Sequence, residues 1–329
     1  MQITDKVIRA LLRALLSFQR RCWEHGEAMQ ALYEFGAYDE LVVMAKQAIV
    51  MSLSDGRVCI QNGDEKALVT DPCCAGEGLL AAWKYTGDIQ FKHAFDKLLD
   101  YALHHAPRNE DGIVYHVTRA PQFWLDSMYM LPPFLAIAGE YEEAIRQVNG
   151  YWNYLYNPEH QLMHWMWDDA EKKVAWPNFR SICNGFAIAG MTRVALALPE
   201  SMREERDELV CKTMLVVDGM LRVTGEDGYS HCTYDDPATH VAMNGALILA
   251  GVLYRLLSKN LIDRGRYLPI ANRLRMSFHQ RVDEYGFVED VARRNPYTRS
   301  SPNGQSFFLI MEAACRDFEI SEKERQEAK

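Results

Sequence analysis

Pro121-Gln122-Phe123-Trp124-Leu125-Asp126-Ser127-Met128-Tyr129-Met130-Leu131-Pro132-Pro133-Phe134 places a single carboxylate, Asp126, in an otherwise apolar and aromatic run. Pro121 suits the first position of a helix, where its missing N–H costs nothing, so the spacing predicts Asp126 in the second turn, past the capping positions. At helical spacing it shares a face with Gln122, Phe123, Tyr129 and Met130. A carboxyl walled by aromatic rings is disfavoured as an anion, which suits a proton donor. The competing reading is a core aspartate satisfied by neighbouring hydroxyls and amides, and on the residue alone the two are even.

Outward from that run the chain reads as helices separated by short loops. With 329 residues, 48% of them hydrophobic and 11% aromatic, it can bury a sizeable core. Apolar periodicity predicts helices over 4–23, 38–52, 75–85, 88–104, 123–137, 141–154, 182–197, 201–222, 238–257, 265–281 and 304–317. No Gly/Ser linker or low-complexity tract divides them, so a single domain over 1–321 is expected, with a frayed tail over 322–329.

A weak repeat runs through these helices at intervals of roughly fifty to sixty residues. Asp55-Gly56-Arg57-Val58-Cys59, Asp111-Gly112-Ile113-Val114-Tyr115, His160-Gln161-Leu162-Met163-His164, Asp227-Gly228-Tyr229-Ser230-His231 and Glu284-Tyr285-Gly286-Phe287-Val288 each pair a turn signal with a short extended run. The interval holds two helices and their connections, so the physical reading is an all-α stack of helical hairpins that share a core. A closed toroid of six hairpins fits better than an open solenoid. The extended runs are rich in aromatic residues, His and Asp, as expected where loops converge on a cavity.

Composition excludes several function classes. The net charge of −9, with Lys and Arg dispersed, argues against nucleic acid as a partner. Lys6, Arg9, Arg13, Arg20 and Arg21 interrupt the first helix, so it is neither a secretion signal nor a membrane span, and the chain reads as cytoplasmic. The eight cysteines include no CxxC pair, which indicates free thiols rather than a zinc site or a disulfide framework. HExxH, calcium-loop, Walker, GxGxxG and Gly-x-Ser-x-Gly patterns are absent, and no metal constellation stands out.

Several residues are candidates to meet Asp126. Asp71 lies 55 residues earlier, about one hairpin away, in Thr70-Asp71-Pro72-Cys73-Cys74. Asp before Pro at a helix start is also a favoured cap, the blander account. His164 and Trp167, in Met163-His164-Trp165-Met166-Trp167, belong to a run with the character of a sugar-stacking wall, or of a core aromatic cluster. Asn184-Gly185-Phe186 opens a helix whose free N–H groups could hold an anion. His240 and Asn244 stand one turn apart and either line the same cavity or cap and pack.

Taken together, Trp124-Leu125-Asp126-Ser127-Met128-Tyr129-Met130-x-x-Pro133-Phe134, preceded by Thr70-Asp71-Pro72 and Tyr85-Thr86-Gly87-Asp88, resembles the unsaturated glycuronyl and rhamnogalacturonyl hydrolases of glycoside hydrolase families 88 and 105. The resemblance covers most of the chain. It implies an (α/α)6 barrel with no cofactor and a small oligosaccharide as substrate, and leaves homo-oligomerisation open. It also implies that Asp126 is the general acid and then the base that activates water, with Asp71 assisting electrostatically or holding substrate. Trp124, Tyr129, His164, Trp167, Arg180, Asn184 and His240 are the expected substrate-binding residues.

The chemistry of that family suits Asp126. Lyases leave a sugar acid whose C4=C5 double bond is a vinyl ether conjugated to the carboxylate. Protonation at C4 gives an oxocarbenium ion, water adds at C5, and the hemiketal opens with loss of the glycosidic bond. Two carboxylates in the opposed geometry of ordinary glycosidases are not required. The chain departs from the family pattern Trp-x-Arg-x-x-Gly-Trp, carrying Arg180, Ile182 and Phe186 at the positions of Trp, Arg and Trp. The departure bears on the substrate more than on the fold, and Arg180 is the nearest replacement for the absent arginine. Alternative readings are another (α/α)6 carbohydrate enzyme, a glycosidase on saturated sugars or an epimerase, and a barrel that binds sugars without turnover. A desolvated acid argues against the last.

Overall fold

The computed structural model describes residues 5–289 and 299–327. Helices alternate along the chain between an outer and an inner position. The first half comprises α1 (Asp5–Leu16), α2 (Cys22–Phe35), α3 (Tyr38–Val50), α4 (Gly76–Thr86), α5 (Ile89–Asp100), the short pair α6 (Ser127–Met130) and α7 (Pro132–Ala138), and α8 (Tyr141–Leu155). The second half comprises α9 (Ser181–Ala197), α10 (Arg203–Val223), α11 (Asn244–Ser258), α12 (Arg264–His279) and α13 (Pro302–Glu327). Short strands β1 (Gln122–Trp124), β2 (Tyr156–Asn157), β3 (Leu162–Met163), β4 (Met166–Asp168), β5 (Lys173–Trp176), β6 (Ser230–His231) and β7 (Val241–Ala242) lie between helices.

Apolar patterning sorts the two rings. In α5 only Phe91, Phe95 and Leu98 are buried, one stripe at helical spacing, whereas α11 is buried along nearly its whole length. A striped helix faces the core on one side, and one that is apolar all round must be enclosed. The inner ring is therefore α2, α4, α6 with α7, α9, α11 and α13, and it closes where α13 packs on α2. The outer helices α1, α3, α5, α8, α10 and α12 back it. This is the expected (α/α)6 barrel.

The sequence repeat is a repeated hairpin. Gly56, Gly112, Gly228 and Gly286 take φ of 99°, 81°, 86° and 92°, the left-handed region open to glycine. Each donates its N–H to the carbonyl three residues back, Leu53, Asn109, Gly225 and Asp283, at 2.9–3.2 Å. Those four residues donate in turn to Arg57, Ile113, Tyr229 and Phe287 at 2.8–3.0 Å. The fifth copy closes as β2 on β3, with Gln161 at φ 53°. Buried amides fasten three of these hairpins. Gln147 and Gln305 bind backbone N–H and C=O of the Gly112 and Gly286 hairpins, and Asn184 does the same for Met163 of the β2–β3 hairpin.

Four expectations about elements are corrected. The predicted helix 4–23 is two helices, because Ser17 and Gln19 side chains take the carbonyls of Ala14 and Leu15 and end α1; residues 1–4 lie outside the description. The predicted helix 123–137 begins as strand β1, which pairs with β4, and α6 ends at Met130 with Pro132-Pro133 opening α7. Asp126 thus precedes a four-residue helix rather than lying in a second turn, and the face it was expected to share dissolves. Residues 241–242 form β7, so the helix expected from 238 starts at Asn244. The tail is helical through Glu327, with Glu322 paired to Arg264 and Arg325.

Candidate active site

The stretch that follows each hairpin and precedes the next inner helix lines a basin at one end of the barrel, with room of about 1240 Å3. The positions immediately after three of the repeated runs, His116, Trp165 and Cys232, all face it. The repeat therefore marks the site one residue beyond its own end.

Asp126 lies in this basin with both oxygens occupied. Trp165 Nε1–H donates to Oδ2 at 2.9 Å, and the Cys183 thiol donates to Oδ1 at 3.7 Å. Two elements set this geometry: the Leu125 N–H donates to the Trp165 carbonyl at 2.9 Å, and Cys183 sits in the first turn of α9. Arg180 immediately precedes α9 in extended conformation and lays its guanidinium over the Trp165 ring, 4.4 Å from the centroid.

Asp71 is the first residue of a short 3-10 turn, Asp71–Ala75, whose cap position is Thr70, so the account of Asp71 as the cap is corrected. Its Oδ1 is buried and accepts no hydrogen bond, with His116 Nε2 3.6 Å away. Burial first, then the negative charges of Asp126 and Glu65, hold the Asp71 carboxyl well above the usual carboxylate range. His116 is neutral at pH 7, its pKa pushed down to about 4 by burial. Its Nδ1 lies 2.9 Å from both the Thr70 and Ser127 hydroxyls, and its ring stacks on Trp124 at 4.3 Å.

A raised Asp71 has a signed consequence. The folded state holds the proton to higher pH than the unfolded chain, whose aspartates titrate near 3.9, so folding loses stability as pH rises from that value towards the folded pKa. Asp71→Asn removes the titration. Its melting temperature relative to the wild type is expected to climb as pH is raised from 4 to 8, and a difference that stays flat across that range would refute a protonated Asp71.

Of the expected residues, the basin gathers Asp126, Asp71, Trp124, Arg180 and His240. Four others are elsewhere. Tyr129 is buried under the site, its hydroxyl on Gln30 and its ring on Phe186 and Phe307. His164 turns into its own hairpin, stacked on Phe179 and bonded to the Pro177 carbonyl and Asn157. Trp167 pairs with Phe123 on the far face of the β1-β4-β5 sheet and gives its N–H to Asp169. Asn184 is wholly buried, clamping Met163 and the Arg180 carbonyl.

Sequence reasoning missed His116, Trp165, Cys183, Trp176 and Asn303. Asn303 directs both donors of its amide to the buried Glu27 carboxyl, at 3.0 and 2.9 Å, which leaves its oxygen for the basin. The Glu27 carboxyl is pushed well above its ordinary range by burial. Among the described residues no three His, Cys, Asp or Glu side chains are grouped to hold a metal ion, and no helix is long and apolar enough to cross a membrane.

Comparison with known proteins gives a family and a shared fold. The family model described as Glycosyl Hydrolase Family 88 matches residues 8–308. The unsaturated rhamnogalacturonyl hydrolase YesR of Bacillus subtilis (strain 168) is 24% identical over an alignment of 343 positions, gaps included, covering 93% of this chain and 92% of YesR. A possible member of family GH105 from Klebsiella pneumoniae subsp. pneumoniae MGH 78578 shares the fold with a TM-score of 0.78 at 17% identity, over 98% of this chain and 95% of that one. An unsaturated glucuronyl hydrolase specific for heparin superposes with a TM-score of 0.71 at 12% identity, over 97% of each chain.

Proposed function

Because the chain belongs to glycosyl hydrolase family 88, we propose that it releases a 4,5-unsaturated uronic acid from lyase-generated oligosaccharides, with Asp126 as its general acid and base. The observation that carries this reading is the pair of donors on Asp126. Once Asp126 has delivered a proton to C4, the Trp165 N–H and Cys183 S–H stabilise the carboxylate that remains, where charge develops in the transition state. The oxocarbenium ion at C5 takes up water, whose proton returns to Asp126. The resulting hemiketal opens and the attached sugar leaves, so the reaction consumes only water. Asp71, whose burial raises its pKa and so favours the neutral carboxyl, offers a hydrogen bond to the substrate instead of a second negative charge facing an anionic sugar.

The test is a panel of unsaturated disaccharides followed by the loss of ultraviolet absorbance of the conjugated double bond. Turnover of saturated glycosides alone would favour a different (α/α)6 glycosidase. Eight free cysteines suit a reducing compartment, and a cytoplasmic location is part of the proposal.

The substrate carboxylate needs a cation, since a desolvated anion is costly unless paired. Arg180 is that partner in this reading: it faces the basin beside Asp126, and Trp165 fixes its guanidinium plane. Arg180→Ala is expected to raise KM for unsaturated uronides by an amount matching a charge-assisted bond of roughly 1.5–3 kcal/mol, with the melting temperature little changed. Unaltered kinetics on every charged substrate would place the anion elsewhere.

A further inference from the structure

Three indole rings line the basin in series, Trp165 on Asp126 with Trp124 and Trp176 as its neighbours at 5.6 and 5.4 Å, and they differ in what covers them. Trp124 is stacked by His116, with 18° between the ring planes. Trp165 gives its N–H to Asp126 and carries the Arg180 guanidinium on its face. Trp176, on β5, meets Trp165 edge to face, centroids 5.4 Å apart and planes at 80°. It lines the basin and stands 49% exposed.

Sheet register explains its placement. Trp176 is opposite Met166, which is opposite Trp124, so Trp176 and Trp124 leave the sheet on the same side, and both line the basin. Trp124 and Trp165 each hold a group stacked against a face, whereas among the described residues the ring contact of Trp176 is its near-perpendicular one with Trp165. A flat aromatic face of this kind complements the C–H face of a pyranose. The substrate's position sets which pyranose. With C4 and C5 against Asp126, C1 lies across the sugar ring, so the sugar joined there extends away from Asp126 along the basin, and Trp176, beside the Trp165 ring that holds Asp126, is the exposed ring on that wall.

We propose that Trp176 is the stacking platform for the sugar to which the unsaturated uronide is attached, and that this sugar is a neutral pyranose presenting a C–H face. The inference rests on the hydrolase reading for its substrate, and it is tested by binding so that the two can fail separately. In the Asp126→Asn background, calorimetry compares a lyase-generated unsaturated disaccharide carrying a neutral second sugar with the methyl glycoside of the same unsaturated uronic acid. The disaccharide is expected to bind about three- to ten-fold tighter, the factor given by an aromatic contact of ordinary strength. Adding Trp176→Ala should erase that advantage and leave methyl glycoside affinity unchanged, while Trp176→Phe should keep most of it.

In the otherwise wild-type chain, Trp176→Ala should raise KM for the disaccharide by the same factor with kcat held. Equal affinity for the two ligands, or an advantage that survives Trp176→Ala, overturns the platform. Absence of turnover by the wild type, with the binding advantage intact, overturns the hydrolase reading and leaves the platform standing.

Discussion

Asp126→Asn is expected to abolish turnover of unsaturated disaccharides while the protein folds and melts as the wild type does. General acid–base catalysis contributes about a hundred- to ten-thousand-fold, so kcat should fall by at least that range. The fold should tolerate the change because the amide keeps the shape of the carboxyl. Its oxygen can still accept from Trp165 Nε1–H, and its NH2 can turn to the Cys183 sulfur, a weak acceptor. What is lost is the transferable proton and the anion it leaves behind. Steady-state kinetics alongside a thermal melt separates the outcomes: near wild-type kcat removes Asp126 from the chemistry, and a collapsed melt makes it a structural residue.

The second large effect is expected away from the basin, at Gly190 in α9. A Cβ there would lie 2.0 Å from the Met128 carbonyl oxygen and 3.0 Å from the Tyr129 Cα, both backbone atoms of α6. Alanine favours a helix interior over glycine by about 1 kcal/mol. Overpacking a filled interior costs about 1–3 kcal/mol, occasionally more, and a backbone oxygen cannot rotate aside as a side chain can, so the clash wins. Gly190→Ala should lower the unfolding midpoint. It should also lower kcat, because α6 directly follows Asp126 and must shift to admit the methyl group. Gly63→Ala, with no atom within 4 Å of the added carbon, is the control and should change neither. Equal urea midpoints for Gly190→Ala and the wild type would show that α6 is not seated against α9 in this way.

The two variants probe different kinds of information. Asp126 stands out in the sequence as the one carboxylate among aromatic residues of its run, and that anomaly does not depend on whether the run is helix or strand. It therefore survives the correction of the local structure. Arg180 is a comparable case: its place just before α9 follows from where the apolar periodicity of that helix begins. Gly190 carries no such mark, since its meaning is a close approach to a segment some sixty residues away.

Helix existence and the recurring turn are determined by the sequence itself. Each follows from periodic exposure to water, a property of a residue and its near neighbours. Tertiary structure alone decided that Gln122–Trp124 pairs with Asp168–Met166 as strand, that Trp165 rather than His164 or Trp167 reaches the carboxylate, and that Asn184 serves the backbone. These outcomes turn on partners far along the chain. Strand pairing settles which ring faces the basin, and unpaired backbone groups claim a buried amide before any ligand can.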